Sequence, residues 1–164
     1  MLRHKDVEPI LEAVAYQFKV SGQAMKSNPV TTTLMEDSAI HSWYGPGRQL
    51  ISGSSSRGES YAVTLTIYTK ENHAISDSLD VLAANSSSSY RKGDVYSMRK
   101  SVEMFEPRVR QITEMAKPED CFLWKLAHIP KLDSWVSQSG KVTILGDAAH
   151  AMVPHLGMVK CSCS

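Results

Sequence analysis

In the octet YAVTLTIY, residues 61–68, Tyr61, Val63, Leu65 and Ile67 share one face while Thr64 and Thr66 share the other. Period two is the signature of a half-buried strand. The pattern therefore predicts a sheet covered on one side and facing a polar space or cavity on the other. Upstream, HSWYGPG reads as a short strand entering a Gly-Pro-Gly turn, and RQLISG reads as the next strand. Residues 14–20, VAYQFKV, read as a further strand. Asn28 followed by Pro29 is a cap and first-turn signal, which predicts a short helix carrying Leu34 and Met35.

From Lys70 to Gly93, with serines from Ser86 to Ser89, no period is sustained, and a mobile surface excursion is expected. Asp94 then reads as the N-cap of a helix with Val95, Met98, Val102 and Phe105 at helical spacing. Pro107 opens a second helix with Val109, Ile112 and Met115. Both are expected to back the sheet, with the Met and Phe stripe in the core. CFLWKLA reads as a strand and Leu132–Val136 as a connector. The segment KVTIL, 141–145, is β-branched and nearly continuous, which suits a strand buried on both faces of an α/β sheet.

The fold class that follows is α+β. A mainly antiparallel sheet backed by helices occupies residues 1–139, and residues 140–164 read as one strand and a loop of a different, α/β layer.

Composition narrows the partners. With 42% hydrophobic residues in 164, a formal net charge of +1 and scattered basic side chains, the chain has no concentrated positive face for a phosphate backbone, so no nucleic-acid partner is expected. The first twenty residues carry Asp6, Glu8 and Glu12, and no later run reaches the roughly eighteen apolar residues of a membrane span, so a cytoplasmic protein with no membrane partner is expected. Three cysteines, two of them at Cys161 and Cys163, make neither a disulfide framework nor a zinc pattern, and no metal site is expected, His150 and His155 included. In the absence of a signal sequence, Asn85-Ser86-Ser87 is read as a chance sequon.

Three motifs fail on inspection. Gly53 to Ser60 has P-loop-like spacing, but Glu59 stands where the lysine is needed and a strand follows instead of a helix. Gly45-Pro46-Gly47 starts like a dinucleotide fingerprint and reaches Leu50 where a glycine is required, so it reads as a hairpin turn. Gly53 to Arg57 lacks the closing glycine of a nucleophile elbow.

What remains is the turn at Gly146-Asp147-Ala148-Ala149-His150, continuing through Pro154-His155-Leu156-Gly157. A glycine there lets a ligand approach the backbone, and the Asp147 carboxylate can accept hydrogen bonds from sugar or ribitol hydroxyls. Pro154 fixes the loop path, and Gly157 lets the chain pass close to a flat ligand. The competing reading is a plain strand-Gly-Asp turn whose aspartate caps a helix.

GKVTILGDAAHAMVPHLG is similar to the second FAD-binding motif of the class A flavoprotein monooxygenases, the salicylate-hydroxylase-like branch in particular. The resemblance extends upstream through WYGPGRQLISG, RGESYAV, FEPRVRQI and LWKLA and covers most of residues 12–157. It implies FAD as cofactor, with Gly146 and Asp147 at its ribityl or ribose part and Pro154, His155, Leu156 and Gly157 beside the isoalloxazine ring. It further implies a flavin reduced by NADH or NADPH, converted by oxygen to a peroxide, and a small aromatic, usually phenolic, substrate. The sheet would roof the flavin pocket, with Arg48 as a candidate contact to an acidic substrate. No catalytic side chain is assigned.

The family's opening G-x-G-x-x-G turn and its second Asp-Gly motif do not occur in the sequence. Met158 to Ser164 also departs from the glycines and long helix that follow in the family. The resemblance thus implies a partial chain, inactive alone, with self-association through an exposed strand 141–145. The alternative is a non-catalytic module that keeps the sheet as an aromatic-ligand or protein-binding surface.

Overall fold

The computed structural model describes residues 7–36, 39–68 and 90–153. Among these, strands β1 (Ile10–Ser21), β2 (Ile40–Gly45), β3 (Arg48–Ser55), β4 (Ser60–Tyr68), β5 (Tyr90–Lys92) and β6 (Phe122–His128) form one open antiparallel sheet in the order β2-β3-β4-β1-β6-β5. Helices α1 (Gly22–Ser27), α2 (Val95–Ser101), α3 (Pro107–Glu114) and α4 (Asp147–His150) are all short. The chain divides into two compact units, Val14–Lys125 and Met1–Ala13 with Leu126–Ser164. The domain boundary expected at 139/140 falls inside the second of these.

In the first unit, β4 alternates as its sequence requires: Tyr61, Val63, Leu65 and Ile67 are buried, and the residues between them are half-exposed. Antiparallel partners project to the same side. Arg48 faces Ile67, Leu50 faces Leu65, and Ser52 faces Val63. Across the β2–β3 hairpin, Trp43 pairs with Leu50 and His41 with Ser52. The covered face thus carries His41, Trp43, Arg48, Leu50 and Ser52, and the open face carries Tyr44, Gln49, Ile51, Thr64, Thr66 and Tyr68. The buried Tyr61 hydroxyl stays hydrogen-bonded, accepting from Ser52 Oγ at 3.0 Å and lying 3.1 Å from His41 Nδ1.

The two helices predicted after Asp94 and at Pro107 form. Asp94 caps α2 by accepting from the backbone N–H groups of Tyr96 and Ser97, each at 3.1 Å, and Pro107 occupies the first turn of α3. Their apolar positions Val95, Met98, Val109 and Ile112 are buried, and Met98 Sδ lies 4.0 Å from Cys121 Sγ, just ahead of β6. Phe105 falls beyond the end of α2 and is half-buried, so the expected Met and Phe stripe is core at Met98 and a loop residue at Phe105.

Three expectations need correction. Residues 28–36 do not make an α-helix: Asn28 Oδ1 accepts from Val30 N at 2.8 Å and the Asn28 carbonyl accepts from Thr31 and Thr32, which closes a turn, and only a 3-10 segment, Thr32–Met35, follows. The helix in this region is α1, started by Ser21 Oγ accepting from Ala24 N. Tyr90–Lys92, placed in the excursion, pairs with β6 in the register Tyr90↔Trp124, and the Tyr90 and Trp124 rings stack at 4.9 Å. The rest of that excursion, residues 69–89, lies outside the described residues.

Residues 141–145 also differ from expectation. They form no strand buried on both faces: Thr143 makes a single bridge to Val136, while Val142 is 54% and Leu145 76% exposed. Parallel neighbours are what would bury such a segment, and among the described residues its only backbone partners are Trp135 and Ser137.

Among the described residues no helix is long and apolar enough to cross a membrane, and no group of three metal-ligating side chains occurs.

Burial, followed by the nearby Asp94 carboxylate, pushes the Cys121 thiol up to about 11. In a C161S/C163S background, Cys121 is expected to react with a thiol reagent at neutral pH only on unfolding, because the thiolate is the nucleophile. Rapid stoichiometric labelling of the native protein would show that the site opens without global unfolding.

Candidate functional site

The turn singled out in the sequence sits in the second unit. Gly146 has φ 62 and ψ −144, a conformation that residues with a Cβ scarcely adopt, and it precedes the one-turn helix α4. Among the described residues nothing lies within 4 Å of where a Cβ would stand, so backbone conformation is what demands glycine here. The Gly146 carbonyl accepts from Ala149 N at 2.9 Å and His150 N at 3.0 Å.

Buried Ala149 and Val153 anchor the turn from behind. The Ala151 carbonyl accepts from Ile129 N at 3.1 Å, and the His150 ring lies 5.4 Å from that of Trp135. Asp147 and Ala148 are exposed in front. Asp147 does not act as the N-cap, a position held by Gly146 without any side-chain bond; it lies in the first turn and is exposed. Pro154, His155, Leu156 and Gly157 lie outside the described residues.

Arg48 belongs to the first unit. It stands on the covered face of β3, half-buried, and its Nη1 donates to the backbone carbonyl of Ser101 at the end of α2. That bond satisfies a carbonyl the helix leaves unpaired and places a cation at the negative end of its dipole. Arg48 thereby clamps the β2–β3 hairpin to α2.

The same unit contains a cavity that sequence reasoning missed. About 640 Å³ in volume, it is lined by Trp43, Tyr44, Gly45, Pro46, Arg48, Met104, Phe105 and Glu106. The Phe105 ring packs on Gly45 so closely that a Cβ there would stand 3.0 Å from Phe105 Cζ. Trp43 Nε1 donates to Glu106 Oε1, and Arg108 Nη2 pairs with the same oxygen at 2.8 Å. Hydrogen bonding from Arg108 first, and from Trp43 after it, holds the Glu106 carboxyl below its ordinary value despite some desolvation. No motif could have announced this cavity, because Trp43 and Glu106 are 63 residues apart.

Two measurements test these geometries. Gly146→Ala is expected to destabilise the α4 turn by about 1–3 kcal/mol, read as faster amide exchange at Ala149 and His150; unchanged protection would show that the glycine conformation is not required. The depressed Glu106 value means that the link to Trp43 and Arg108 contributes above the ordinary carboxylate range and is lost as pH falls through the folded value. A Trp43 indole N–H resonance that shifts with that acidification in the native chain, and does not in Glu106→Gln, is the expected result.

No family model matches the chain. It is 43% identical over 53 residues to hispidin-3-hydroxylase of Neonothopanus nambi, which is 32% of this chain and 12% of that protein. It is 31% identical over 65 residues to the FAD-dependent monooxygenase OpS4 of Beauveria bassiana (strain ARSEF 2860), 40% of this chain and 15% of the relative. A salicylate hydroxylase substrate complex superposes with TM-score 0.75 at 18% identity, covering 94% of this chain and 36% of that one. Other structures of similar fold are FAD complexes. The chain thus spans little more than a third of the solved proteins it resembles, and its aligned segments span far less of the curated relatives. Over these short stretches its sequence is similar to FAD-dependent monooxygenases, and over nearly its whole length its fold is similar to that of a salicylate hydroxylase.

Proposed function

We propose that this chain supplies the substrate-facing sheet and one flavin-contact turn of an FAD- and NAD(P)H-dependent monooxygenase that hydroxylates a small phenolic or other aromatic compound. The observation that carries the reading is the Gly146-Asp147 turn: a glycine-only backbone conformation with no described residue crowding it, followed by an exposed aspartate. Such a carboxylate suits ribityl or ribose hydroxyls, for which it is an acceptor, and not phosphate, which it would repel. Asp147 would hold the sugar part of FAD, with Gly146 allowing close approach and Pro154 to Gly157 passing beside the ring.

The bound flavin, reduced by NADH or NADPH, would supply the oxygen-activating chemistry, and the protein supplies placement and exclusion of water. For placement, the open face of the sheet offers Thr64, Thr66, Gln49 and Tyr68. Gln49 Nε2 donates to Tyr44 Oη at 2.9 Å, and the Tyr68 hydroxyl lies 3.5 Å from Gln49 Oε1. These hydroxyls and the amide can donate to and accept from a phenolic OH. Arg48, on the covered face and bonded to Ser101, serves the hairpin clamp in this reading and not the substrate.

Residues 1–164 contain no G-x-G-x-x-G turn to hold the FAD pyrophosphate. A few hydroxyl contacts from Asp147 do not offset the cost of immobilising so large a dinucleotide. The chain, purified and mixed with FAD, is therefore expected to emerge colourless from a desalting column and to oxidise no NADH or NADPH. A stoichiometric yellow protein would overturn the assignment of a single contact turn. Loss of that colour in Asp147→Ala would still identify the turn as flavin-binding.

A further inference from the structure

The cavity beside the β2–β3 hairpin is built entirely from residues 43–48 and 104–106 and contains none of the residues assigned to flavin. Trp43, Arg48 and Phe105 among its walls are held from behind. The Trp43 indole is held by Glu106, which is held by Arg108; Arg48 is held by the Ser101 carbonyl; Phe105 is seated on Gly45. A pocket whose rings are already locked loses little freedom when a ligand enters, which is the condition for useful affinity from a small contact area.

Its volume lies within the roughly 300–1,000 Å³ typical of small-molecule sites. The walls it leaves uncovered are aromatic and apolar: Tyr44 is 69% and Met104 95% exposed, and Trp43 and Phe105 are half-exposed. At the rim the Glu106 carboxylate and Arg48 Nη1 are already engaged within the fold, so a charged ligand would lose its hydration for little return. Flat rings, by contrast, stack favourably on Trp and Phe faces. We infer that this cavity binds an uncharged planar aromatic molecule stacked against Trp43 and Phe105. This goes beyond the flavin reading, uses none of the residues assigned to flavin, and shares only Tyr44 with the groups offered for substrate placement.

The indole N–H resonances of Trp43, Trp124 and Trp135 in the ¹⁵N-labelled chain give one probe inside the cavity and two outside. Unlabelled indole, as the neutral ligand, is expected to shift Trp43 saturably and leave the other two in place, with benzoate and benzylammonium binding more weakly. Phe105→Ala is expected to weaken indole binding by about tenfold, its fold checked by unchanged Trp124 and Trp135 resonances. Met104→Ala, at a site 95% exposed and so without consequence for folding, is expected to weaken it less. Equal movement of all three resonances, absence of saturation, or a charged ring bound as tightly as indole would each overturn the proposal. So would a Trp43 resonance that moves on dilution without ligand, since a second copy of the chain would then be the occupant.

Discussion

Short helices leave most of their backbone groups unpaired, and in this chain side chains from elsewhere meet that need. Helix α2 has seven residues and α3 eight, so each has about twice as many orphan groups at its ends as bonds in its middle. Arg99 reaches from α2 to the end of α3, where its guanidinium donates to the carbonyls of Thr113, Glu114 and Ala116 at 3.2, 2.8 and 3.3 Å. Arg48 does the same for the Ser101 carbonyl at the end of α2. Thr31 Oγ1 donates to the Met25 carbonyl of α1 at 2.9 Å from a fully buried position. Each of these bonds satisfies a helix end and also ties two elements together. The hairpin position, the Trp43 and Phe105 walls and the seating of Glu106 at the start of α3 all follow from them.

The sheet was legible in the sequence because period two is a local property that burial enforces. A one-residue slip of β3 against β4 would carry Leu50 to the open face and bring Gln49 under the helices, so the register is strongly specified. The same reasoning shows why the Arg48 side chain could not be placed from sequence. Its face depends on where the hairpin turns: with Pro46 and Gly47 as the turn, Gly45 pairs with Arg48 and every second residue from there is fixed. Arg48 as a strand residue was readable; Arg48 as a clamp on a helix 53 residues away was not.

The elements that escaped the sequence reading share one feature: their conformation is set by partners distant in the chain. Tyr90–Lys92 is three residues long and all exposed, too short for any period, and exists because β6 offers a ladder and an aromatic pair. α1 carries only two buried residues, Gly22 and Met25, too few for an apolar stripe. The segment 141–145 is the converse. Its β-branched composition is that of a buried strand, but composition states only what a segment tolerates, and burial needs neighbours on both sides. Bonded among the described residues to Trp135 and Ser137 alone, it has Val142 and Leu145 exposed.

The two candidate sites differ in legibility for a physical reason. Gly146 could be singled out because a left-handed, extended backbone excludes every residue with a Cβ, so conformation writes itself into residue type at one position. Asp147 follows as the first side chain after that turn. The cavity imposes no such demand on its lining. Trp43 at a strand, Phe105 in a loop and Glu106 before a helix are each ordinary in place, and only Gly45 is constrained, by the approach of the Phe105 ring. A site built on a backbone conformation that glycine alone adopts leaves a glycine signature. One whose ligand meets only side chains leaves none, and has to be found from how the strands and helices bring those side chains together.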